Sequence, residues 1–176
     1  MEDFRKFDQL RTTELVITRK GWFRSVHTLT DGQFSYGQLT CNGAFNRDKN
    51  IETAGERWII RPVGFWGKET LIINADKSEV IGKIVRNNWG TKTTIELNNG
   101  FNALLKKGKG IFSRKINWTN DQYGDAIEIT SCSKYSRPFT VNLTPDILKT
   151  TLPVPLIILI GVQLILVRQA QAAAAV

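Results

Sequence analysis

Cysteine, histidine and proline are all scarce in this 176-residue chain, which has two Cys, one His and five Pro. Cys41 and Cys132 lie far apart and form no CxxC, so both the ligand spacing of a zinc site and the density of a disulfide-stapled domain are missing. The single histidine, His27, stands between Val26 and Thr28 in a strand-like stretch, where a lone His is a structural residue more often than a catalytic one. No GxSxG elbow, Walker loop, GxGxxG or HExxH occurs. Asp121-Gln122-Tyr123-Gly124-Asp125 lacks the periodic ligands and closing Glu of an EF-hand and reads as a turn. Glu52, Glu56, Asp121 and Asp125 are loop carboxylates of the ordinary solvated kind. The expectation is a protein that is not an enzyme, with no cofactor, no metal site and no turnover at His27, Cys41 or Cys132.

The segment Met1-Glu2-Asp3-Phe4-Arg5-Lys6 lacks the apolar run of a secretory signal, which points to a reducing, cytoplasmic setting in which the sequons at Asn117 and Asn142 go unused. Hydrophobic residues at 41% and charged residues at 23% exclude a disordered tail and a polytopic membrane protein. At about 150 residues per domain, the length predicts one domain over residues 1–176. Lys and Arg number 24 against 16 Asp and Glu, and the net charge of +8 favours anionic partners: membrane headgroups, phosphorylated ligands or nucleic acid.

From about Thr12 to Leu143 the chain is a series of short β-rich runs separated by turn signals every 8–12 residues or so, the rhythm of an antiparallel all-β domain. The clearest unit is Thr93–Leu97, then Asn98-Asn99-Gly100, then Phe101–Leu105, in which Asn-Gly supplies the positive φ of a tight hairpin. Asp31-Gly32 does the same between Trp22–Leu29 and Phe34–Cys41. Phe139, Val141 and Leu143 alternate with Thr140 and Asn142, and Ile127 and Ile129 flank Glu128. Phe112, Ile116 and Trp118 share a parity that Arg114 interrupts. Roughly eleven or twelve strands result, each with one buried face.

After Pro153 and Pro155 the chain changes character. Leu156–Val167 is apolar on every side except Gln163, and a helix of that kind must be buried in protein or in lipid. The eighteen uncharged residues between Lys149 and Arg168 would span about 27 Å as helix, close to the ~30 Å of a bilayer core. A barrel of about twelve strands would also have a lumen fit for one helix of ~10–12 Å diameter. Two readings therefore stand side by side: a central helix over about 155–168 with a short Ala-rich tail at 169–176, or a membrane anchor at 150–167 below a soluble β domain. In the first, Gly161 permits close approach of a strand and Gln163 needs a polar partner.

The order of features resembles the tubby C-terminal-like superfamily, which includes the tubby domain, the phospholipid scramblases and the plant LURP-one-related proteins. The residues that carry the resemblance are Tyr36-Gly37-Gln38-Leu39, Trp58-Ile59-Ile60-Arg61 before Gly64, Gly82-Lys83-Ile84, Leu97 through Gly100-Phe101, and Pro155 into Leu156–Leu166. Together they cover Gly21–Arg168. The resemblance implies a mainly β fold: a closed barrel of roughly twelve antiparallel strands around a C-terminal hydrophobic helix, without catalytic residues. Scramblases carry a Pro-rich arm, a cysteine cluster and an acidic calcium segment that this chain does not have, so scrambling is not implied.

The densest positive feature is Lys106, Lys107 and Lys109, followed by Arg114 and Lys115. It reads either as a solvated hairpin edge or as a patch for an anionic phospholipid or membrane surface. Phe65 and Trp66, an aromatic pair in a Gly-bounded turn, are candidates for contact with a membrane interface. The other tryptophans, interleaved with these charges, also permit stacking on nucleobases, though core packing is their commoner role and nucleic acid is the less favoured partner. The functional expectation is a binding or scaffold domain, peripheral to a membrane, with nucleic-acid binding or tail anchoring as alternatives.

Overall fold

The computed structural model describes residues 3–21, 24–42, 48–64, 68–87, 92–107, 114–132 and 136–174. Phe65, Trp66 and Lys109 lie outside the described residues, as do Trp22, Trp89 and Phe112. Twelve strands follow one another: β1 (Glu14–Lys20), β2 (Arg24–Thr30), β3 (Ser35–Asn42), β4 (Lys49–Thr53), β5 (Glu56–Val63), β6 (Glu69–Asn74), β7 (Glu79–Arg86), β8 (Thr93–Leu97), β9 (Asn102–Lys107), β10 (Lys115–Asn120), β11 (Gly124–Ser131) and β12 (Phe139–Leu143). Each pairs antiparallel with its sequence neighbour, and β12 returns to β1 with Leu15 opposite Val141 and Ile17 opposite Phe139, so the sheet closes into a barrel. Closure removes the unpaired edges that would otherwise template aggregation.

The turns form for local reasons. Asp31 Oδ1 accepts hydrogen bonds from the Gln33 and Phe34 amides, both at 2.8 Å, while Gly32 takes φ +97°, a conformation open to a residue without Cβ. The Tyr36 hydroxyl donates to Asp31 Oδ2 at 2.6 Å and locks this hairpin to the core. Burial, followed by that bond, pushes the Tyr36 phenol up to about 12. Along the strands, Leu15 and Ile17, Ile95 and Leu97, and Val141 and Leu143 point inward by strict alternation.

The lumen is filled by α1 (Val154–Ala174), whose residues from Val154 to Ile165 are all buried. Pro155 stands in the first turn, where a backbone N–H has no intrahelical partner. By length and composition α1 is long and apolar enough to cross a bilayer, yet its apolar part is enclosed by β-strands. Helical conformation runs on through Gln169–Ala174 beyond the expected boundary at 168, because alanine has the highest intrinsic helix propensity and nothing breaks the run.

Glycines let neighbouring elements pack closely. A Cβ at Gly37 of β3 would lie 2.8 Å from the Glu52 carbonyl oxygen and 2.9 Å from Thr53 Cγ2 on the adjacent β4, while Leu159 Cδ1 of the helix stands at an ordinary contact distance of 3.4 Å. On another side of the lumen, a Cβ at Gly161 would lie 2.6 Å from Ile129 Cδ1 and 2.8 Å from Trp118 Nε1. The bare backbone there allows the Trp118 indole to donate a buried hydrogen bond, 3.1 Å long, to the Ile157 carbonyl one turn earlier. The expectation of close approach at Gly161 is met; Gln163 Oε1, buried, has no hydrogen-bond partner among the described residues.

Gly161→Ala sets two effects against each other. Helix propensity gains about 1 kcal/mol, while overpacking against a rigid indole costs roughly 1–3 kcal/mol. The second should win, and urea denaturation should show the variant less stable than the parent. A more stable variant would mean that Trp118 does not hold the helix as described.

Candidate functional site

In an antiparallel meander the connections fall alternately at opposite ends, so the sequence positions of charges decide which end they occupy. The β2–β3, β4–β5, β6–β7, β8–β9 and β10–β11 turns lie at the end where α1 begins. That end carries Glu14, Asp31, Glu52, Glu56, Asp76, Glu79, Asp121 and Asp125, with Arg57 paired to Asp76, and fewer cations besides: Arg5, Lys6, Arg11, Lys77 and Lys149. The opposite end, where α1 emerges, carries Arg19, Lys20, Arg24, Lys49, Lys68, Arg86, Lys92, Lys107, Arg114 and Arg168. Its carboxylates among the described strand ends are Asp48, paired to Arg61 at 2.7 Å, and Glu69. One mouth of the barrel is therefore mixed with a net acidic excess, and the other is strongly basic.

Within the basic mouth, the inward rows of several strands change from apolar to polar at their last position. On β7 the row Gly82, Ile84 ends in Arg86; on β9 the row Ala103, Leu105 ends in Lys107; on β8 Ile95 and Leu97 are preceded by Thr93. Arg114 precedes Ile116 and Trp118 on the same parity, which explains why it interrupts that pattern. Arg168 follows the buried turn of α1, and its Nη2 donates to Thr93 Oγ1 at 3.3 Å. Burial and, secondly, the nearby Arg168 charge hold the Arg86 guanidinium below its ordinary value. Arg86 is the cross-strand partner of the same Thr93, so the two arginines share one neighbourhood where solvent is partly excluded.

Beside them is an open cavity of about 470 Å³ lined by Lys107, Arg114, Ser131, Cys132, Arg168 and Gln169, with an apolar floor of Ile116 and Ile165. Among the described residues no carboxylate lines it. Such a site offers guanidinium and ammonium donors, a hydroxyl and an amide to an oxyanion. The acidic mouth has a cavity of about 490 Å³, but there Arg5, Lys6 and Lys77 face Asp8, Glu56 and Glu79 around Tyr36 and Trp58. Volume does not distinguish the two; uncompensated charge does.

The expected patch divides. Lys107 and Arg114 point into the mouth, whereas Lys106 and Lys115 lie on the outer wall, with Lys115 Nζ 3.1 Å from Glu128. Lys109, like Phe65 and Trp66, falls outside the described residues. Sequence reading missed Arg86 and Arg168. Their only signal was position: Arg86 shares the parity of Ile84, and Arg168 terminates the apolar run.

On another side of the same mouth, Arg19 follows Leu15 and Ile17 on the inward row of β1, opposite His27 of β2. His27 is 1% exposed, and burial together with the Arg19 charge pushes its pKa down to about 4. It is a neutral core imidazole near neutral pH, a poor general base. Burial also raises the Cys41 thiol, against smaller opposing effects of Lys49, Ser25 and Arg19. Both cysteines are free thiols, and among the described residues no group of three or more His, Cys, Asp or Glu is placed to hold a metal ion. Compared with known proteins, the chain matches no family model, no curated protein and no solved structure.

Two outcomes follow from these environments. Arg86→Gln should raise the thermal midpoint, because it removes a partly buried charge that lies in the field of Arg168, and inorganic phosphate or pyrophosphate should stabilise the parent more than the variant. A lower midpoint with undiminished anion stabilisation would make Arg86 a structural residue. For His27, the folded pKa of about 4 lies below the ordinary 6.5, so the unfolded chain binds the proton first as pH falls. Stability from this group is full above about pH 6.5 and is lost toward pH 4, by on the order of 3 kcal/mol. The difference in unfolding free energy between the parent and His27→Gln should therefore change across that window; a constant difference would show that His27 is not buried neutral.

Proposed function

We propose that this protein works by binding rather than catalysis, and that its basic mouth takes the phosphate-bearing headgroup of an anionic phospholipid at a membrane surface. The observation that carries the reading is the cavity lined by Lys107, Arg114 and Arg168 with no carboxylate among the described residues, beside which Arg86 and Arg168 flank Thr93. Like charges brought together in a partly dry site lower stability unless an anion joins them, so the arrangement makes sense as a site whose stability is completed by its ligand. Lys107 and Arg114 around the adjacent cavity extend the positive field, and Ile116 and Ile165 give it an apolar floor. The barrel with an enclosed apolar helix and the residues quoted above support placing the chain among tubby-like barrels, whose tubby members bind phosphoinositides. In this reading the protein is cytoplasmic and associates peripherally, because the apolar part of α1 serves the barrel core.

Co-sedimentation with phosphatidylserine/phosphatidylcholine vesicles tests this directly. Binding should fall as salt rises and should be absent on pure phosphatidylcholine. At about 1 kcal/mol per cation near an anionic surface, Arg86→Gln with Arg168→Gln should weaken binding roughly tenfold or more. Lys106→Gln with Lys115→Gln should do less, since Lys115 is already paired with Glu128 on the outer wall. Equal binding to neutral vesicles, or indifference to the Arg86 and Arg168 changes, would sink the reading. Tight binding to single-stranded oligonucleotides without vesicle binding would favour nucleic acid instead.

A further inference from the structure

The charges of this barrel are sorted along its axis, and that sorting constrains how the molecule meets a surface. Resting on the reading of the basic mouth as a site for anionic lipid, we propose that the barrel docks end-on: its axis stands along the bilayer normal, the basic mouth lies against the headgroups, and the exposed last turns of α1 enter the headgroup layer.

The first support is electrostatic. A strand of about seven residues at ~3.3 Å each is ~23 Å long, which at a barrel tilt of ~40° separates the mouths by about 18 Å along the axis, whereas the potential of an anionic leaflet decays over ~8–10 Å. Placed end-on, the barrel brings Arg86, Lys107, Arg114 and Arg168 into that field and keeps Glu52, Glu56 and Glu79 out of it. Laid on its side, it would bring carboxylates of the acidic mouth to the same surface. Inverted, it would present them directly. Only the end-on placement uses the cations without that repulsion.

The second support is the course of the helix. α1 is buried through Ile165, half-buried from Leu166 to Arg168, and exposed from Gln169 to Ala173. About five exposed residues at ~1.5 Å each extend it by roughly 8 Å along the axis. The exposed residues Gln169–Ala173 carry neither charge nor a bulky apolar side chain, so this stretch suits the polar headgroup layer better than the hydrocarbon. The helix C-terminus bears a partial negative charge of about half a unit, which the surrounding cations outweigh.

Site-directed fluorescence tests the orientation. In a chain with Cys41 and Cys132 replaced by Ser and checked for an unchanged unfolding transition, single cysteines are introduced as Ala173→Cys at the helix end, Ile59→Cys on the outer wall of β5, and Gln33→Cys in the turn at the acidic mouth. Each is labelled with an environment-sensitive dye and titrated with iodide, with and without saturating phosphatidylserine/phosphatidylcholine vesicles. End-on docking requires the quenching constant at position 173 to fall severalfold on binding while those at 59 and 33 stay within a factor of two. Sedimenting protein with position 59 shielded and position 173 still open would overturn the orientation and leave lipid binding standing. Protein that does not sediment, even if inorganic phosphate stabilises it, would overturn both the orientation and the membrane as the source of the anion.

Discussion

A closed barrel of twelve strands is too wide to be filled by its own inward side chains, and every other feature of this molecule depends on the helix that fills it. The strands supply the enclosure, but the packing density of an interior comes from Leu156–Leu164 meeting the inward rows of opposite walls. Trp118 and Gly161 show how closely the two are fitted. The indole reaches a helix carbonyl because the residue one turn later has no side chain, and the same gap receives Ile129. Helix and barrel are therefore one cooperative core.

Enclosing the helix also gives the barrel a polarity. The chain must enter α1 at one mouth and leave at the other, and the macrodipole places partial positive charge at Val154 and partial negative charge at the far end. The acidic and basic mouths complement those signs, yet half a unit of charge at each terminus is too small to account for a whole ring of cations. The excess at the mouth where α1 emerges, where the Arg168 charge acts on a partly buried Arg86, is the feature on which the proposed anion site rests. The same mouth contains His27 and Cys41, whose burial favours their neutral forms, so its positive field comes from Arg and Lys alone.

The fold was largely legible because its signals are local. Alternation in Phe139–Leu143, the Asn-Gly turn before Phe101 and the prolines ahead of Leu156 each state a conformation within a few residues. The choice between a core helix and a membrane anchor was not local, since the same apolar surface satisfies either surrounding. The helix also extends beyond Arg168, because the propensity of its alanines carries it through the Ala-rich segment. For the site, the run Lys106–Lys115 marked the right end of the barrel but mixed inward and outward residues. Alternation separates Lys107 from Lys106, and Arg114 from Lys115, once the register is known.

What the sequence determined by itself is thus the set of strands, the single apolar helix and the absence of recognisable catalytic spacing, each encoded by neighbours within one or two turns of chain. What only the tertiary structure decided is the gathering of Arg86, Thr93, Lys107, Arg114 and Arg168 at one mouth, and the separation of that mouth from the carboxylates at the other. The physical reason is that a meander reverses direction at each turn, so residues far apart in sequence share an end of the barrel while adjacent turns lie at opposite ends; a linear chain carries that sorting without displaying it.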